Sequence, residues 1–415
     1  MALLTLPLLP VHALMNSRLP VALALCTVAC GPADTPPEHY AFVALLGRDT
    51  VSVERVARSH RRLVTDIVDR FPLVRLRHTE FDLTDDGRVR KMVMDVRTPN
   101  GKTPAERGRR VTADVTDAGV SISVRDSAAV HDTTFSAPNA IVVPHVSMMY
   151  SVIELEVAAA LRRAATQGLK PGDSVQFRQF YPDRNVGRSF ALHEGFVHPR
   201  DSGKVELRHD WLSGTGDLKV DSAGRLLAYS GARTTYQVTV TRSTDAPDIA
   251  AIGTRFAAAE ASVGPNQLSV RDTARAAIGS ATFTIDYGRP LARGRVLLGN
   301  VIPFDYVWRT GANAATQFTT SAPITLDGLK LSAGTYTLWT IPRLTGVELV
   351  VNTQTGQWGT GYDKTHDLGR APLKVETLTD SVEKFTMAVE PKDAKHGTLA
   401  LSWGTFRWTA PITVQ

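Results

Sequence analysis

Cysteine is almost absent from this 415-residue chain, and both copies, Cys26 and Cys30, lie near the N-terminus. The long remainder therefore holds no internal disulfide, no cysteine-ligated zinc and no cysteine nucleophile. The eleven histidines are dispersed, and no HExxH motif occurs. His193 and His198 are five residues apart, a spacing that places them neither on one face of a strand nor one above the other on a helix. We expect no metal site and no cofactor.

Other signatures of function are missing as well. The chain has no GxSxG, no SxxK and no glycine-rich phosphate loop. Its formal charge is only +6, and the basic residues are scattered without runs, so no nucleic-acid partner is predicted. Beyond the N-terminal region there is no run of about 18 apolar residues, the length that a transmembrane helix needs. These absences leave open whether the chain is an enzyme, and they favour a protein that is not one.

The N-terminus has the pattern of a targeting segment. The stretch "MNSRLPVALALCTVACG" places Arg18 before a short apolar run over residues 19–29, followed by Cys30. This run is too short for a membrane span and resembles a bacterial lipoprotein signal. We expect a signal peptide over residues 1–29, starting at Met1 or Met15, and a lipid anchor at Cys30 that holds the chain to a membrane. Secretion without a lipid is the alternative.

Gly31 after Cys30 favours the outer membrane over the inner one, so the chain is expected to be an outer-membrane lipoprotein or periplasmic. Residues 30–40 include the proline-rich "GPADTPPEH" and are predicted to form a tether.

Alternating patterns predict an antiparallel β domain over residues 41–245. In "GVSISVRD", for example, Val120, Ile122 and Val124 share one face. One helix, over about residues 147–167, interrupts this part, with Ser147 as its expected N-cap. Glu154 and Glu156 come early in it, and Gly168 ends it. A long sheet packed on one helix resembles the half-barrel of periplasmic lipoprotein carriers.

The remaining chain continues as β structure after a second helix. Residues 246–263 have a helical apolar stripe and are predicted to connect two domains. Residues 264–415 alternate again, with proline and glycine at the turns, which is typical of a β-sandwich or jelly roll. The expected fold is therefore mainly β, with an N-terminal half-barrel-like sheet and a C-terminal sandwich.

Four segments of this C-terminal region resemble a bacterial domain of unknown function, family 2911. They are "TIDYGRP", "RGRVLLGNVIPFDYVWRTGAN", "LSAGTYTLWTIP" and "NTQTGQWGTGYD", in family order, with the terminal "LALSWG". The resemblance implies a secreted or lipid-anchored β-rich domain with no assigned activity. It also implies a glutamate after the Asn of W-R-T-G-A-N, where this chain has Ala314.

A polar and aromatic set in the same region is the candidate ligand site. Aromatic rings stack on sugar faces, while Arg and Asn bond hydroxyls or carboxylates, so such a cleft would suit an anionic glycan or a peptide terminus. A structural interpretation, in which Arg309 pairs with Asp286 at a sheet corner, stays open beside it. The candidate residues are Tyr287, Arg289, Arg295, Trp308, Arg309, Asn313, Trp339, Trp358 and Tyr362.

These observations favour a non-catalytic binding or scaffolding protein of the bacterial cell envelope. The first alternative is a hydrolase of an envelope glycan or peptide, which needs two carboxylates about 5–10 Å apart. Its candidates are Asp286, Asp305, Asp363 and Asp367. The second alternative is a carrier that holds an apolar ligand in the concave face of the N-terminal sheet.

Overall fold

The computed structural model describes residues 36–70, 73–170, 172–182, 192–209, 214–264 and 268–415. The expected signal peptide, the lipidation site Cys30 and the first part of the tether lie outside these residues. The described part consists of two sheets, in which nearly all neighbouring strands are antiparallel, and few helices. The predicted mainly β fold is therefore confirmed. No helix in these ranges is long and apolar enough to cross a membrane.

In the described residues, fifteen strands and two α-helices precede residue 244. The strands are β1 (Glu38–Leu46), β2 (Asp49–Arg58), β3 (Arg62–Arg70), β4 (Val74–Leu83), β5 (Val89–Arg97), β6 (Gly108–Thr116), β7 (Gly119–Asp126), β8 (Val130–Ser136), β9 (Val142–Pro144), β10 (Val175–Phe180), β11 (His193–Pro199), β12 (Lys204–His209), β13 (Thr215–Val220), β14 (Leu226–Ser230) and β15 (Thr239–Ser243). The helices are α1 (Pro104–Arg107) and α2 (Tyr150–Gln167), with a short 3₁₀ turn at Asp201–Gly203.

All fifteen strands form one sheet in the order β8-β7-β6-β5-β4-β3-β2-β1-β15-β14-β13-β12-β11-β10-β9. Strand β1 pairs with β15 in the middle, so the first and last strands of this half join its two arms. The described pairs are antiparallel except β9 with β10. Alternate residues of nearly every strand contribute to one apolar cluster that also contains the inner residues of α2. The sheet therefore curves around this helix.

Helix α2 begins three residues later than the sequence predicts. Its N-cap is Met149, whose side chain makes no capping bond, and Ser147 does not act as the cap. The free backbone N–H groups of Tyr150 and Ser151 donate instead to the carboxylate of Glu54 on β2, over 2.7 and 3.2 Å. A residue remote in sequence thus caps the helix, which local sequence signals cannot reveal. Gly168, with φ 64°, ends the helix as predicted.

The helix fills most of the concave face, and a cavity of about 310 Å³ remains beside it. Leu155 and Ala159 of α2 line one wall, and the segments 87–90, 115–117 and 140–143 line the rest. That volume is at the lower end of small-ligand pockets. The apolar-ligand carrier accordingly stays a prediction.

The second long helix, α3 (Ile249–Val263), lies against the N-terminal sheet on the face opposite α2. Ile249 packs with Val53, Val68 and Val74, and Glu260 accepts a hydrogen bond from the backbone N–H of Val74. The segment predicted as an inter-domain connector is therefore also part of the N-terminal sheet's outer layer.

The C-terminal part is one nine-stranded sheet in the order β16-β17-β18-β21-β22-β23-β24-β19-β20. A 3₁₀ turn lies at Lys364–His366. The strands are β16 (Ser269–Ile278), β17 (Ala281–Pro290), β18 (Thr316–Thr320), β19 (Ile324–Leu326), β20 (Leu329–Leu331), β21 (Gly334–Arg343), β22 (Gly346–Asn352), β23 (Asp367–Pro391) and β24 (His396–Val414).

This sheet supplies both layers of the predicted sandwich because its two longest strands bend. The pairing of β23 with β24 shifts register between Thr377 and Thr386, and such irregularities bend and twist strands. Residues from both ends of the sheet then meet in a single core. Aromatic rings dominate its centre, where Trp308 stacks on Trp403 with ring centroids 5.9 Å apart.

The two sheets belong to one compact unit, residues 36–415. The loop after β17 contacts the β1–β2 turn: Arg293 is 3% exposed, its Nε donates to Asp49 over 2.7 Å, and its carbonyl accepts from the N–H of Arg48. Arg295 donates to Gln237, also of the N-terminal part, over 2.9 Å.

Candidate functional site

The segment that carries W-R-T-G-A-N crosses the sheet with alternate residues facing in and out. Trp308 pairs with Thr340 of β21 through two backbone hydrogen bonds and places its indole in the core. Because side chains alternate along extended backbone, Val307 and Arg309 face outward. Arg309 then lies directly opposite Trp339 on β21.

Arg309 is the unusual residue of this outer face. The residue is half-buried, and burial lowers the pKa of its guanidinium, with no acidic group acting against this. No carboxylate of the described residues pairs with it. The expected partner Asp286 binds Arg271 instead, over 2.9 Å. The sheet-corner pair allowed by the sequence is therefore not formed.

Buried polar atoms without partners also occur on β21 and in the loop that follows β22. Trp339 is 1% exposed, yet its indole Nε1 has no hydrogen-bond partner among the described residues. The amide Nε2 of Gln357 is likewise buried without one, as is the amide oxygen of Gln354. Buried polar groups are normally paired, so each of these atoms lacks a bond that a ligand group or an ordered water would supply.

The loop 353–363 covers part of this face and carries two of the predicted residues, Trp358 and Tyr362. Gly359 donates its N–H to the carbonyl of Asn313, and Ala314 forms a bridge with Trp358. A Cβ on Gly359 would lie 2.5 Å from Cδ of Arg309, so only glycine allows the loop to pass so close to the arginine.

Aromatic rings border the site on this loop. The indole of Trp358 is 56% exposed, whereas Tyr362 packs against Trp339 with ring centroids 5.1 Å apart. Burial, and then the hydrogen bond to Asp367, raise the pKa of Tyr362 to about 12. Tyr362 is consequently neutral over the physiological range. We name the set of Arg309, Asn313, Trp339, Trp358 and Tyr362 the outer-face site.

The other four predicted residues lie elsewhere. Tyr287 and Trp308 are buried in the core. Arg289 pairs with Asp272 over 2.7 Å and with the backbone of Phe385, at the β16–β23 side. Arg295 points to the junction of the two sheets. The nine candidate residues came from both faces of the sheet. The sequence did not indicate which of these faces is buried.

Sequence reasoning missed Gln354, Gln357 and Gly359, which lie within the recognised "NTQTGQWGTGYD" segment. The one available signal was the repeated glycine in that segment, which indicates close backbone approaches.

The carboxylates considered for a hydrolase are each bound by a neighbour. Asp305 pairs with Arg343 over 3.1 Å, Asp363 accepts from Thr365, and Asp367 accepts from Tyr362 and from Asn352. The hydrolase alternative stays a prediction. Among the described residues, the outer-face site has no pair of unbound carboxylates to support it.

Comparison with known proteins bears on this same region. Residues 269–412 match the family model of a protein of unknown function, DUF2911. The predicted resemblance is thereby confirmed, and the outer-face site lies wholly within the DUF2911 segment. The family description assigns no activity to it.

The remaining comparisons add little. No curated protein matches the chain. Among solved structures, a DUF1089 family protein from Pseudomonas aeruginosa aligns with 45% of this chain and 93% of its own length. It shares 14% sequence identity, and the TM-score is 0.33. That likeness is too weak to carry a conclusion about this chain.

Proposed function

We propose that this chain is a non-catalytic binding protein of the bacterial cell envelope, anchored through Cys30, whose outer-face site takes a carboxylate-bearing ligand. The observation that carries the proposal is the half-buried guanidinium of Arg309 without an acidic partner in the described part of the chain. Partial loss of water without a counter-charge is unfavourable for a cation, and a ligand carboxylate is the group that offsets this cost best.

The chemistry of the surrounding residues narrows the ligand. Arginine binds a carboxylate through two parallel N–H···O bonds, and the unpaired indole N–H of Trp339 offers a further donor. The exposed ring of Trp358 provides a flat apolar surface suited to stacking on a sugar ring or a peptide plane. An acidic glycan and the C-terminus of a peptide share this chemistry.

The envelope location rests on the sequence. The lipoprotein-like signal ends at Cys30, and strand β1 begins at Glu38, so residues 31–37 would separate the anchor from the fold. A tether of this length holds the protein close to a membrane surface, where acidic polymers and peptide ends of the envelope are accessible.

Binding of matched ligand pairs tests the proposal. Calorimetric titration would compare a trimer of galacturonic acid with the neutral galactose trimer, and a peptide ending in a free carboxylate with its amide. We expect the acidic member of one pair to bind and its neutral counterpart to bind at least 10-fold more weakly, since charged hydrogen bonds contribute about 1.5–3 kcal/mol. The pair that responds identifies the source of the carboxylate.

Arg309→Ala should reduce the affinity for the acidic ligand about 10- to 100-fold while leaving the fold intact. Arg343→Ala is the matched control, since Arg343 is an exposed arginine of the same sheet that already pairs with Asp305 and Glu348. Equal affinity of wild type and Arg309→Ala for every acidic ligand that binds, or equal binding of acidic and neutral ligands, would overturn the proposal.

A further inference from the structure

A second polar cluster lies inside the N-terminal sheet, far in sequence from the DUF2911 segment. It contains His145 just after β9, Glu156 on α2, Gln179 on β10 and His209 at the end of β12. Their exposed fractions are 5, 0, 0 and 4%. Four segments of the chain therefore bring four polar side chains together in one buried position at helix α2.

Polar atoms of these four side chains lie close together, and one ligand atom from each of His145, Glu156 and His209 lies within 4.8 Å of the others. His145 Nδ1 lies 3.6 Å from Glu156 Oε1, and His209 Nε2 lies 3.3 Å from Glu156 Oε2. The amide Nε2 of Gln179 is 2.7 Å from Glu156 Oε1 and 3.3 Å from each of the two imidazole nitrogens. Ligand atoms about 2.0–2.1 Å from a tetrahedral zinc ion are separated by about 3.4 Å. Four of these five distances, at 3.3–3.6 Å, are close to that separation, and the contact between Gln179 and Glu156 is shorter.

The hydrogen bonding of the cluster is incomplete without a cation. The Gln179 amide has two hydrogens, but Glu156 Oε1, His145 Nδ1 and His209 Nε2 all lie within their reach. On its other side, Oε1 of Gln179 is buried without a hydrogen-bond partner among the described residues. Turning the amide around would direct that oxygen at the same centre, where a cation or protons on the imidazole nitrogens would hold the acceptors together.

The charges around Glu156 also favour a bound cation. Glu54 is bound by backbone N–H groups, and Glu154 by two arginines. Glu156, although equally buried, has no lysine or arginine within 4 Å in the described ranges. Among the described residues, the side chains that interact with its carboxylate are the two imidazoles and the amide of Gln179. A buried carboxylate with such neighbours is a typical metal ligand.

We propose that His145, Glu156 and His209, completed by the amide oxygen of Gln179, bind one Zn²⁺ ion. The mixed nitrogen and oxygen donor set suits zinc, and full enclosure by protein is typical of structural rather than catalytic sites. The ion ties α2 to strands β9, β10 and β12 and so fixes the helix within the curved sheet.

Metal content and thermal stability of the untagged mature chain test this proposal. After zinc loading and dialysis, elemental analysis should find about one zinc per chain. Removal of zinc with a chelator should lower the melting temperature by about 3 °C or more, and ZnCl₂ should restore it, because a ligand that binds only the folded state stabilises it. X-ray absorption at the zinc edge should show two imidazole ligands.

Glu156→Gln keeps the shape of the side chain and removes its charge, and we expect it to lose zinc on dialysis. His366→Gln is the matched control, since His366 is a half-exposed histidine 3.3 Å from Asp363. Retention of zinc by Glu156→Gln at the wild-type level would overturn the proposal. The same holds for a zinc-free wild type after loading, or for a zinc ligand shell without two imidazoles. The wild-type measurements decide the matter even where the variant fails to fold.

Discussion

Single charged residues inside this protein differ in how their charge is offset. Glu154 of α2 is fully buried and accepts hydrogen bonds from Tyr40, Arg58 and Arg242. Burial raises the pKa of Tyr40, and the neighbouring Glu154 carboxylate raises it further, so the phenol stays protonated and donates. Arg309 has no such counterpart in the described part. The first arrangement is complete in itself, and under the proposed function a ligand completes the second.

Glu154→Gln should lower the free energy of unfolding by about 3 kcal/mol, because removing one partner of a buried ion pair leaves the other charge uncompensated. Arg58 and Arg242 would both lose their shared counter-charge. Urea unfolding followed by far-ultraviolet circular dichroism measures the change.

The matched control for that substitution is Glu80→Gln, which removes an exposed carboxylate 2.6 Å from Arg62 on the same sheet. Exposed pairs contribute less than about 1 kcal/mol. If the two variants were equally stable, Glu154 would not hold the internal charge balance assigned to it.

At residue level the sequence predicted part of the outer-face site. Arg309, Asn313, Trp339, Trp358 and Tyr362 converge, whereas Tyr287 and Trp308 belong to the core. The alternation of side chains along a strand predicts which neighbouring residues share a face. It does not predict which of the two faces the rest of the sheet covers. That depends on how β23 bends.

Among the elements, α2 depends most on the rest of the fold. The sequence indicated a helix that starts near Ser147 with acidic residues favourably placed in its early turns. In the structure Glu154 and Glu156 are enclosed, and the N-terminus is capped by Glu54 of β2. Burial raises the pKa of Glu54, while the hydrogen bonds from Ser151, Thr65 and Tyr150 act against this.

Glu54→Ala should lower the free energy of unfolding by about 3 kcal/mol, since two buried N–H groups and the Thr65 hydroxyl would lose their acceptor. Asp248→Ala is the matched control at the start of α3, where an exposed cap accepts from the N–H of Ala251. Its expected cost is about 1 kcal/mol.

Equilibrium unfolding of both variants measures these costs. A smaller loss for Glu54→Ala than for Asp248→Ala would mean that the start of α2 does not rely on the carboxylate from β2.

At the scale of the whole molecule, the two sheets meet at a small junction around Arg293. The carbonyl of Arg293 lies against Gly47, where an added Cβ would come within 2.3 Å of that oxygen. Gly47 also has φ 61°, a conformation that favours glycine. The β1–β2 turn and the loop after β17 therefore fit together only with glycine at this position.

Gly47→Ala should separate the unfolding of the two halves, because it both strains the turn and displaces Arg293. Differential scanning calorimetry should show one transition for the wild type and a broadened or split one for the variant. Gly168→Ala is the matched control: its φ is 64°, yet nothing lies within 4 Å of the added Cβ. A single sharp transition in Gly47→Ala would show that the junction does not couple the sheets.

The sequence by itself determined the mainly β composition, the existence of α2 and α3, and the DUF2911 resemblance of the C-terminal third. These depend on local periodicity and on contiguous motifs. Only the tertiary structure decided that Glu54 caps α2, that Arg309 has no acidic partner among the described residues, and that His145, Glu156, Gln179 and His209 meet. Periodicity encodes which side of an element is apolar, but the pairing order of strands and the curvature of a sheet bring distant residues together, and no local spacing records them.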